Sequence, residues 1–380
     1  MTASLPRVLL VGRARFRFPL EPGLEHRFAA LSEELDWRQL GTRNGDSPAP
    51  DDRFVMVSTF PVRRLEGLAY HLALPFRVRR ELRRSRPDVA IVQGAPETAL
   101  VLLGRALSRV PTRVVLDLHG DWRATTRLYG SRGRRLLDPL ADALARRALR
   151  RADGVRTITA YTTGLVRAEG IEPVAEFPAY MDLRAFTAKP VAPLPETPRV
   201  LFVGVLERYK AFDVLADAWR RVAAGRPDGV LHVVGRGTLA PVAERLVADL
   251  PERVEWTPWL TADEVSDALD AGTVLVLPSR SEGMGRVVIE AGLRGRGVVA
   301  SRVGGIPDVA RDGETGLLVP PGDATALADA LDRVLADPEL AGRFGAAARS
   351  SAEEWHVSAE EYARRLRALV DDVLDGPRRV

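Results

Sequence analysis

Short runs of apolar and β-branched residues alternate with segments of helical periodicity along the whole chain of 380 residues. In the first half the runs are continuously apolar, which is typical of strands buried on both faces of a parallel sheet. They predict strands at Val8–Gly12, Arg53–Ser58, Val89–Gln93, Arg113–Leu118 and Val155–Thr159. Helices are predicted between them, for example at Leu72–Arg84 and Arg135–Arg150.

The same alternation restarts after Pro190. Six more strands are predicted, at Val200–Val205, Val230–Gly235, Val254–Thr257, Thr273–Leu277, Val298–Ser301 and Gly316–Val319. The helices of this half are predicted at 211–224, 239–249, 262–270, 286–294 and 324–335. Two such series predict an α/β protein with two doubly wound domains. Ligands bind beyond the carboxyl ends of parallel strands, so we expect the active site in a cleft between the domains.

The domain boundary is expected in the segment 189–199, where four Pro fall within nine residues from Pro190. Pro disfavours both helices and central strands, so the segment predicts a stiff linker. An N-terminal domain would then span residues 1–188, and a C-terminal domain residues 200–355.

The last segment, 356–380, is predicted to form one amphipathic helix. Its apolar residues, among them Tyr362, Leu366 and Val373, recur at helical spacing. Such a stripe needs a surface to cover. This helix packs either on its own domain or back on the N-terminal one.

Composition excludes several classes of protein. The chain has no Cys, which rules out a disulfide scaffold, a thiol enzyme and a Cys-ligated zinc site. Its five His show no HExxH-type spacing, so we expect no metal site. The longest uncharged stretches have ten residues, against about 18 for a spanning helix. Nothing near Met1 resembles a signal peptide. These features predict a cytoplasmic protein.

Charge is divided unevenly between the two halves. Residues 1–190 carry a net charge of +11 and residues 191–380 one of −7, which gives +4 overall. Such asymmetry indicates two units with different partners. A basic half is suited to nucleic acid, anionic lipid or a phosphorylated small molecule. Nearly all of the chain's positive charge comes from Arg, because the chain has only two lysines, Lys189 and Lys210.

Two basic segments leave alternatives open. The first alternates Arg and Phe over residues 13–18, which predicts either a solvated loop with two buried Phe or a contact with acceptor, phosphate or nucleic acid. The second is the Arg- and Leu-rich helix Arg132–Arg151. It either packs its leucines on the sheet or lies on an anionic membrane.

The most informative segment is a strand–turn–helix over residues 278–291. A helix is predicted to start near Gly285, and the N–H groups and positive dipole of a helix start attract phosphate. Gly283 and Gly285 let an anion approach the backbone closely. Glu282 and Glu290 are placed to accept hydrogen bonds from sugar or ribose hydroxyls. Taken singly, either one would be read as an ordinary surface carboxylate.

A second glycine-rich stretch follows, and with it the chain resembles the retaining glycosyltransferases of family four. The shared patterns are E-G-x-G from Glu282, E-A from Glu290, V-G-G-x-P over 303–307 and D-G-x-T-G-L-L-V-x-P-G-D over 312–323. Members of that family have the GT-B fold, in which two Rossmann-like domains face a cleft and the C-terminal one holds most of the nucleotide sugar. The resemblance is strong over 200–335 and weaker over 1–190.

The resemblance implies roles for residues of the C-terminal domain. Glu290 would bind the ribose hydroxyls, Glu282 the donor-sugar hydroxyls and Lys210 the diphosphate. Backbone groups near the sugar and phosphate would come from Gly283, Met284, Gly285 and Arg286. Trp259 and Leu260 would lie at the nucleotide base.

In the N-terminal domain, the resemblance places His119 beside the donor sugar and Gly12 in the loop after the first strand. One departure concerns the diphosphate. Family members usually have Arg after the glycine that here is Gly204, and this chain has Val205. Arg208 is the expected substitute for that cation.

The resulting prediction is a nucleotide-sugar-dependent hexosyltransferase that retains anomeric configuration and needs neither metal nor cofactor. His119, Lys210 and Glu282 would carry catalysis. The donor would be linked to UDP or GDP, and the acceptor would be a small molecule, a glycan or a lipid-linked compound. Such an enzyme would serve glycoconjugate or natural-product biosynthesis.

Localisation and the competing functions depend on the same residues. We expect a cytoplasmic protein with the option of peripheral contact with the anionic inner face of the membrane, and no nucleic-acid partner. One alternative is a degenerate transferase fold that binds nucleic acid or membrane. A less favoured one is a glycosidase that uses Glu282 and Glu290 as its acid and base.

Overall fold

The computed structural model describes residues 4–43, 51–57, 63–123 and 138–377. It divides into two compact units. The described parts of Met1–Tyr180 and Val357–Val380 form the N-terminal unit, and Met181–His356 forms the C-terminal unit. Each unit is built on one parallel sheet with helices on both faces. The prediction of two doubly wound α/β units is confirmed.

The N-terminal unit has a seven-stranded sheet in the order β3-β2-β1-β4-β5-β6-β7, in which every pairing is parallel. Its strands are β1 (Arg7–Phe16), β2 (Asp36–Arg43), β3 (Phe54–Val57), β4 (Val89–Gln93), β5 (Arg113–Leu118), β6 (Gly154–Thr157) and β7 (Ala175–Glu176). The helices between them are α1 (Pro22–Glu34), α2 (Arg63–Ser85), α3 (Ala95–Ser108), α4 (Asp138–Arg151) and α5 (Ala160–Arg167). The strands β2 and β7 are absent from the sequence-based prediction.

Two helical layers cover this sheet. Helices α2, α3 and α4 bury residues such as Leu74, Val101 and Leu149 on one face. On the other face α1 packs with the last helix of the chain, α14 (Ala359–Asp375). The apolar stripe that includes Tyr362 is therefore buried on the N-terminal unit, which is one of the two surfaces that the sequence left open.

The C-terminal unit has a six-stranded parallel sheet in the order β10-β9-β8-β11-β12-β13. Its strands are β8 (Arg199–Val203), β9 (Val230–Val234), β10 (Val254–Thr257), β11 (Val274–Leu277), β12 (Gly297–Ser301) and β13 (Gly316–Val319). Its helices are α6 (Arg184–Thr187), α7 (Phe212–Gly225), α8 (Ala240–Asp249), α9 (Ala262–Asp270), α10 (Arg286–Leu293), α11 (Ile306–Val309), α12 (Ala324–Ala336) and α13 (Pro338–Glu353). The predicted ends of all six strands agree with these within two residues.

The Pro-rich segment lies inside the C-terminal unit, which already begins at Met181. The guanidinium of Arg294 is fully buried and donates to the carbonyls of Phe186, Lys189 and Pro190 at 3.2, 2.8 and 2.6 Å. Arg296 donates to the carbonyls of Ala192 and Pro193 at 3.0 and 2.9 Å. These two side chains fasten the segment that the sequence suggested as a linker.

Lys189 has a structural explanation as well. Its Nζ lies 3.0 Å from Asp270 and forms a second ion pair with Asp267. The lysine therefore adds to the contacts between the Pro-rich segment and α9.

None of the described helices combines the length and the apolarity that crossing a bilayer requires.

Candidate functional site

The centre of the C-terminal sheet brings together two residues that the sequence singled out separately. Strands β8 and β11 are neighbours, so the turn after β8 and the loop after β11 meet at the same edge. Nζ of Lys210 lies 2.5 Å from Oε1 of Glu282, with only 13% and 11% of the two side chains exposed. Oγ of the buried Ser279 donates to the same Glu282 oxygen at 2.8 Å. This edge thus holds a cation and a carboxylate in one nearly buried pair.

Arg280 fixes the turn that carries Lys210. This turn is a single 3₁₀ turn, Arg208–Lys210, which precedes α7. The guanidinium of Arg280 donates to both carboxylate oxygens of Asp213, at 2.9 and 2.8 Å, and to the carbonyl of Arg208 at 2.7 Å. Its backbone N–H donates to the carbonyl of Tyr209 at 2.7 Å. Sequence reasoning did not identify Arg280 as a support for Lys210.

The start of α10 has the geometry of an anion site. Gly285, the residue before the helix, has a φ of +79°, and no side chain caps the helix start. N–H groups at such a start are available to a ligand, where the helix dipole favours negative charge. The predicted helix start near Gly285 is therefore present, next to the loop that contains Glu282.

The second glycine-rich stretch supports this loop. Gly304 has a φ of +57°, and a Cβ built on it would lie 1.9 Å from the carbonyl oxygen of Glu282. The N–H of Gly305 donates to that carbonyl at 3.2 Å. A side chain at either position would push the loop away, so the stretch keeps Glu282 in place by close backbone packing.

Glu290 lies inside α10 and is almost fully buried. Its Oε1 accepts a hydrogen bond from Nε of Arg286 at 2.6 Å. Burial raises the pKa of Glu290, and the nearby cations of Arg286 and Lys210 only partly offset that effect. Glu282 and Glu290 are thus each paired with a cation of their own.

The remaining predicted residues of this unit are at the carboxyl edge of the same sheet. Arg208 and Val205 follow β8, and both are exposed. The Arg208 guanidinium has no hydrogen-bond partner among the residues that the structure describes, so it is available to a ligand. Trp259 and Leu260 follow β10, and the Trp259 ring is largely exposed.

His119 and Gly12 belong to the N-terminal unit, where a second polar cluster occupies the carboxyl edge of the sheet. His119 Nε2 lies 2.9 Å from Oδ2 of Asp117, and its Nδ1 lies 3.1 Å from Nε2 of Gln93. Both ring nitrogens of His119 therefore have a side-chain partner, which fixes the orientation of the ring at the end of β5. Gly12 is beside Gln93, since a Cβ on Gly12 would lie 3.2 Å from the Gln93 side-chain oxygen.

Asp117 connects His119 to a buried cation. The other oxygen of Asp117 accepts from Arg156 at 2.6 Å, and Arg156 also donates to the carbonyls of Phe177 and Pro178. Burial would raise the pKa of Asp117, but Arg156 and His119 hold it well below its ordinary value. Gln93, Asp117 and Arg156 were not among the predicted residues. Only their places near strand ends could have indicated them.

The Arg–Phe alternation after Gly12 has a structural cause in the described residues. Phe16 and Phe18 are buried, and Phe18 packs edge-to-face on Phe54 at 5.3 Å. Arg13 and Arg15, before them, and Arg17, between them, are exposed. The structure therefore agrees with the expectation of two buried Phe, but residues 13–16 continue strand β1 and do not form the predicted loop.

The basic helix predicted at Arg132–Arg151 is described from Asp138 onward, as α4. Residues 132–137 lie outside the described residues. Leu149 is buried against the sheet, whereas Leu140 and Leu144 are exposed. The prediction that the leucines of this helix pack on the sheet therefore holds for Leu149 but not for Leu140 and Leu144.

Among the described residues, no three His, Cys, Asp or Glu side chains are grouped as metal ligands.

Two family models match the chain. The model for "Glycosyl transferases group 1" matches residues 197–337, and that for "Glycosyl transferase 4-like domain" matches residues 22–178. Together they cover most of both units.

Curated relatives agree with these matches. Sulfoquinovosyl transferase SQD2 of Arabidopsis thaliana is 35% identical over 42% of this chain and 31% of its own length. A GDP-mannose-dependent alpha-(1-6)-phosphatidylinositol monomannoside mannosyltransferase of Mycolicibacterium smegmatis is 29% identical over 77% of this chain and 78% of its own length. The chain spans between 31% and 62% of the length of four curated relatives that include the Arabidopsis protein.

Solved structures show the same architecture. Sucrose-phosphate synthase from Thermosynechococcus elongatus superposes with a TM-score of 0.75 at 22% identity, over 96% of this chain and 99% of that protein. At this identity the similarity concerns the fold.

Proposed function

Since the chain belongs to family four of the GT-B glycosyltransferases, we propose that it transfers a glycosyl group from a nucleotide sugar to an acceptor hydroxyl. The observation that carries this proposal is the Lys210–Glu282 pair beside the start of α10. Binding a diphosphate requires fixed positive charge, and binding a sugar requires groups that accept hydrogen bonds from its hydroxyls. The carboxyl edge of the C-terminal sheet offers both within one cluster.

The leaving group explains why cations are needed at this edge. As the glycosidic bond stretches, negative charge grows on the diphosphate. Lys210 and the N–H groups at the start of α10 are held in place before reaction, so they would stabilise that charge with little reorganisation. Arg208 would supply a further cation, in place of the arginine that family members carry where this chain has Val205.

The two carboxylates would bind hydroxyls of the donor. Glu282 would accept from the sugar and Glu290 from the ribose, as the resemblance implies. Support comes from their placement, since each carboxylate lies at this edge of the sheet with a cationic partner of its own, Lys210 for Glu282 and Arg286 for Glu290. A glycosidase acid–base pair is not favoured, because such a pair needs no nucleotide site, whereas these carboxylates lie beside Lys210 and the uncapped start of α10.

We further propose that the sugar is a hexose, that the anomeric configuration is retained and that no divalent metal takes part. In the front-face reaction the C1–O bond to the diphosphate breaks and a C1–O bond to the acceptor forms on the same face. The acceptor proton passes to the departing diphosphate, so no protein nucleophile is needed. His119 would support the donor sugar, held by Gln93 and Asp117.

Donor and acceptor are proposed from similarity. The Mycolicibacterium smegmatis relative is named for GDP-mannose and a phosphatidylinositol monomannoside. Among the options, this favours a GDP-linked hexose and a lipid-linked acceptor, with UDP donors and small-molecule or glycan acceptors as the other possibilities.

A turnover assay tests the proposal. The enzyme is incubated with UDP- and GDP-hexoses and candidate acceptors, with and without EDTA. Nucleoside diphosphate release is measured, and the anomer of the product is identified by NMR. We expect acceptor-dependent release that survives EDTA, with an α-linked product from an α-linked donor.

Lys189 provides a matched control for Lys210, because these are the chain's only two lysines. Lys210→Ala should lower kcat by about 10²- to 10³-fold, the range for losing one electrostatic stabiliser. Lys189→Ala, which removes a lysine from the Pro-rich segment, should leave kcat near that of the unsubstituted enzyme. Hydrolysis of simple glycosides without nucleotide, or equal loss in both variants, would refute the proposal.

A further inference from the structure

A fully buried arginine lies inside the N-terminal unit. Arg156 belongs to the short strand β6, between β5 and β7, and none of its side chain is exposed. Burying a guanidinium costs free energy unless its donors are paired, and an apolar residue of similar volume often serves stability as well or better. The Nε of Arg156 is buried and has no hydrogen-bond partner among the described residues. Stability alone therefore does not explain an arginine at this position.

The two Nη atoms of Arg156 donate to groups near the carboxyl edge of the sheet. Nη1 donates to Oδ1 of Asp117 at 2.6 Å, and Nη2 donates to the carbonyls of Phe177 and Pro178 at 2.9 and 2.8 Å. The other oxygen of Asp117 lies 2.9 Å from Nε2 of His119. Side-chain exposure rises along this series, from 0% for Arg156 through 11% for Asp117 to 31% for His119. Arg156 is thus the buried end of a series of contacts that reaches the surface at His119.

Two aromatic rings lie against the guanidinium of Arg156. Its Cζ is 4.0 Å from the ring centroid of Phe177 and 5.6 Å from that of Tyr362. The two rings also contact each other edge-to-face, with their centroids 6.0 Å apart. Aromatic contacts of this kind attract a guanidinium and restrict its orientation. Because Tyr362 belongs to α14, the return of the last helix to the N-terminal unit places a ring on Arg156.

We propose that Arg156 is a positioning residue for His119, acting through Asp117, and that α14 shares this role through Tyr362. The inference rests on the proposed function, in which His119 supports the donor sugar. A partly exposed histidine at a strand end has several rotamers available. Asp117, itself held by Arg156, restricts the ring together with Gln93, so less ordering remains when the donor binds.

Arg105 provides a matched control in the same unit. It pairs with Asp153 at 2.6 Å, the same distance as the pair between Arg156 and Asp117. Asp153 precedes β6 and accepts from the N–H of Val114 at the start of β5, so this pair lies at the amino edge of the same two strands. Arg105→Met therefore removes an Arg–Asp pair without touching the contacts that lead to His119.

The kinetic test is a double-mutant cycle in glycosyl transfer. Arg156→Met and His119→Gln should each lower kcat by about 10- to 100-fold, the range for misplacing a group at the reacting centre. The double variant should be no slower than His119→Gln alone, because Arg156 acts only through His119. Affinity for the nucleoside diphosphate should stay unchanged, since its proposed site is in the C-terminal unit. Arg105→Met should keep the kcat of the unsubstituted chain.

Conservative variants separate geometry from charge and volume. Arg156→Lys should not restore kcat, because one ammonium cannot replace a planar guanidinium that contacts a carboxylate and two carbonyls. Tyr362→Phe keeps the ring on Arg156 and should keep kcat, whereas Tyr362→Leu should lower it. Circular dichroism melting shows which variants are folded. If Arg156→Met does not fold, Arg156→Lys and Tyr362→Leu carry the same test.

A spectroscopic measurement that needs no activity separates this inference from the proposed function. The chain has five histidines, and with ¹³C-labelled histidine the ring signal of His119 is the one missing from His119→Gln. It should shift or broaden in Arg156→Met and Tyr362→Leu, and it should stay in place in Arg105→Met and Tyr362→Phe.

An unmoved His119 signal in the folded Arg156 variants would overturn the proposal. Losses of kcat that add fully in the double variant would overturn it as well. If the His119 signal moves as expected but the unsubstituted chain transfers no glycosyl group, the proposed function fails while the positioning of His119 by Arg156 is supported.

Discussion

Nζ of Lys210 lies 2.5 Å from Oε1 of Glu282, although 72 residues separate them in the chain. Both side chains are nearly buried, so each neutralises a charge that would otherwise be costly in this environment. The same pair supplies the cation and the carboxylate that the proposed reaction requires. Stability and function at this edge of the sheet are therefore coupled through two side chains.

A double-mutant cycle measures this coupling. Lys210→Met and Glu282→Gln should each lower the free energy of unfolding by about 3 kcal/mol, because each leaves the nearly buried charge of the other residue without its partner. The double variant should lose clearly less than the sum of the two. Urea unfolding of the four proteins gives the coupling free energy.

The exposed pair Arg302–Asp312 is the comparison for that cycle. Solvent screens exposed pairs, so its coupling should stay below about 1 kcal/mol. Additive losses at Lys210 and Glu282 would mean that their proximity has no energetic consequence.

Glu290 should link nucleotide affinity to pH. Burial raises its pKa. A raised pKa means that the folded state favours the protonated form of Glu290. The resulting stability is fully present below the pKa that Glu290 has in the unfolded chain, and it is lost as the pH rises through its higher pKa in the folded protein. Glu290→Gln should therefore leave the free energy of unfolding at neutral pH unchanged or increase it.

Binding should respond in the opposite sense. Ribose hydroxyls need the carboxylate as acceptor, so affinity for a nucleoside diphosphate should fall as the pH drops through the raised pKa. The Gln variant should bind weakly at every pH. Calorimetric titrations between pH 5 and pH 8 check both statements. If the affinity drops equally in the unsubstituted protein and in Glu290→Gln as the pH is lowered, Glu290 is not the group responsible for the pH dependence.

Arg280 should act as a positioning residue for Lys210. Its guanidinium bridges Asp213 and the backbone of the turn Arg208–Lys210. Arg280→Lys keeps the charge but cannot form the two-pronged contact, so it should raise the donor KM almost as much as Arg280→Ala does. An unchanged donor KM in both variants would contradict this role.

Arg311→Lys is the matched control, because Arg311 forms an exposed pair with Glu314. Its KM should equal that of the unsubstituted enzyme. A merely structural role for Arg280 would lower the melting temperature without this selective rise in KM.

Much of the C-terminal unit could be predicted from the sequence because its strands are continuous apolar runs. The strand β2 could not, because it places the polar Gln39 in the interior. Nε2 of Gln39 donates to the carbonyls of Leu10 and Leu40, at 3.3 and 3.1 Å, and a buried polar group that is satisfied in this way leaves no apolar signal.

The residues of the site likewise differ in how far the sequence alone could identify them. Lys210 and Glu282 could be selected individually from sequence patterns, but their contact depends on β8 and β11 being neighbours. Arg280 and Gln93 act through side-chain contacts between loops that are distant in sequence. Such contacts follow from strand order, which local periodicity does not determine.

Arg294 should be among the most sensitive positions for stability. It is fully buried, forms a two-pronged pair with Asp270 at 2.9 and 2.8 Å, and donates to three carbonyls of the segment 186–190. Arg294→Met should cost about 3–5 kcal/mol, since it leaves these acceptors without their donor. Arg349→Met, at an exposed position on α13, should cost less than about 0.5 kcal/mol. Equal losses would show that the buried guanidinium is replaceable.

The most direct test of the C-terminal unit as the donor site is equilibrium binding of nucleoside diphosphates to the full chain. UDP, GDP, ADP and dTDP are titrated into the unsubstituted protein, Lys210→Ala, Glu290→Ala and Lys189→Ala. We predict that one nucleotide binds best, that Lys210→Ala and Glu290→Ala each weaken it at least about tenfold, and that Lys189→Ala binds it normally. Binding of no nucleotide, or equal affinity in all four proteins, would contradict the account.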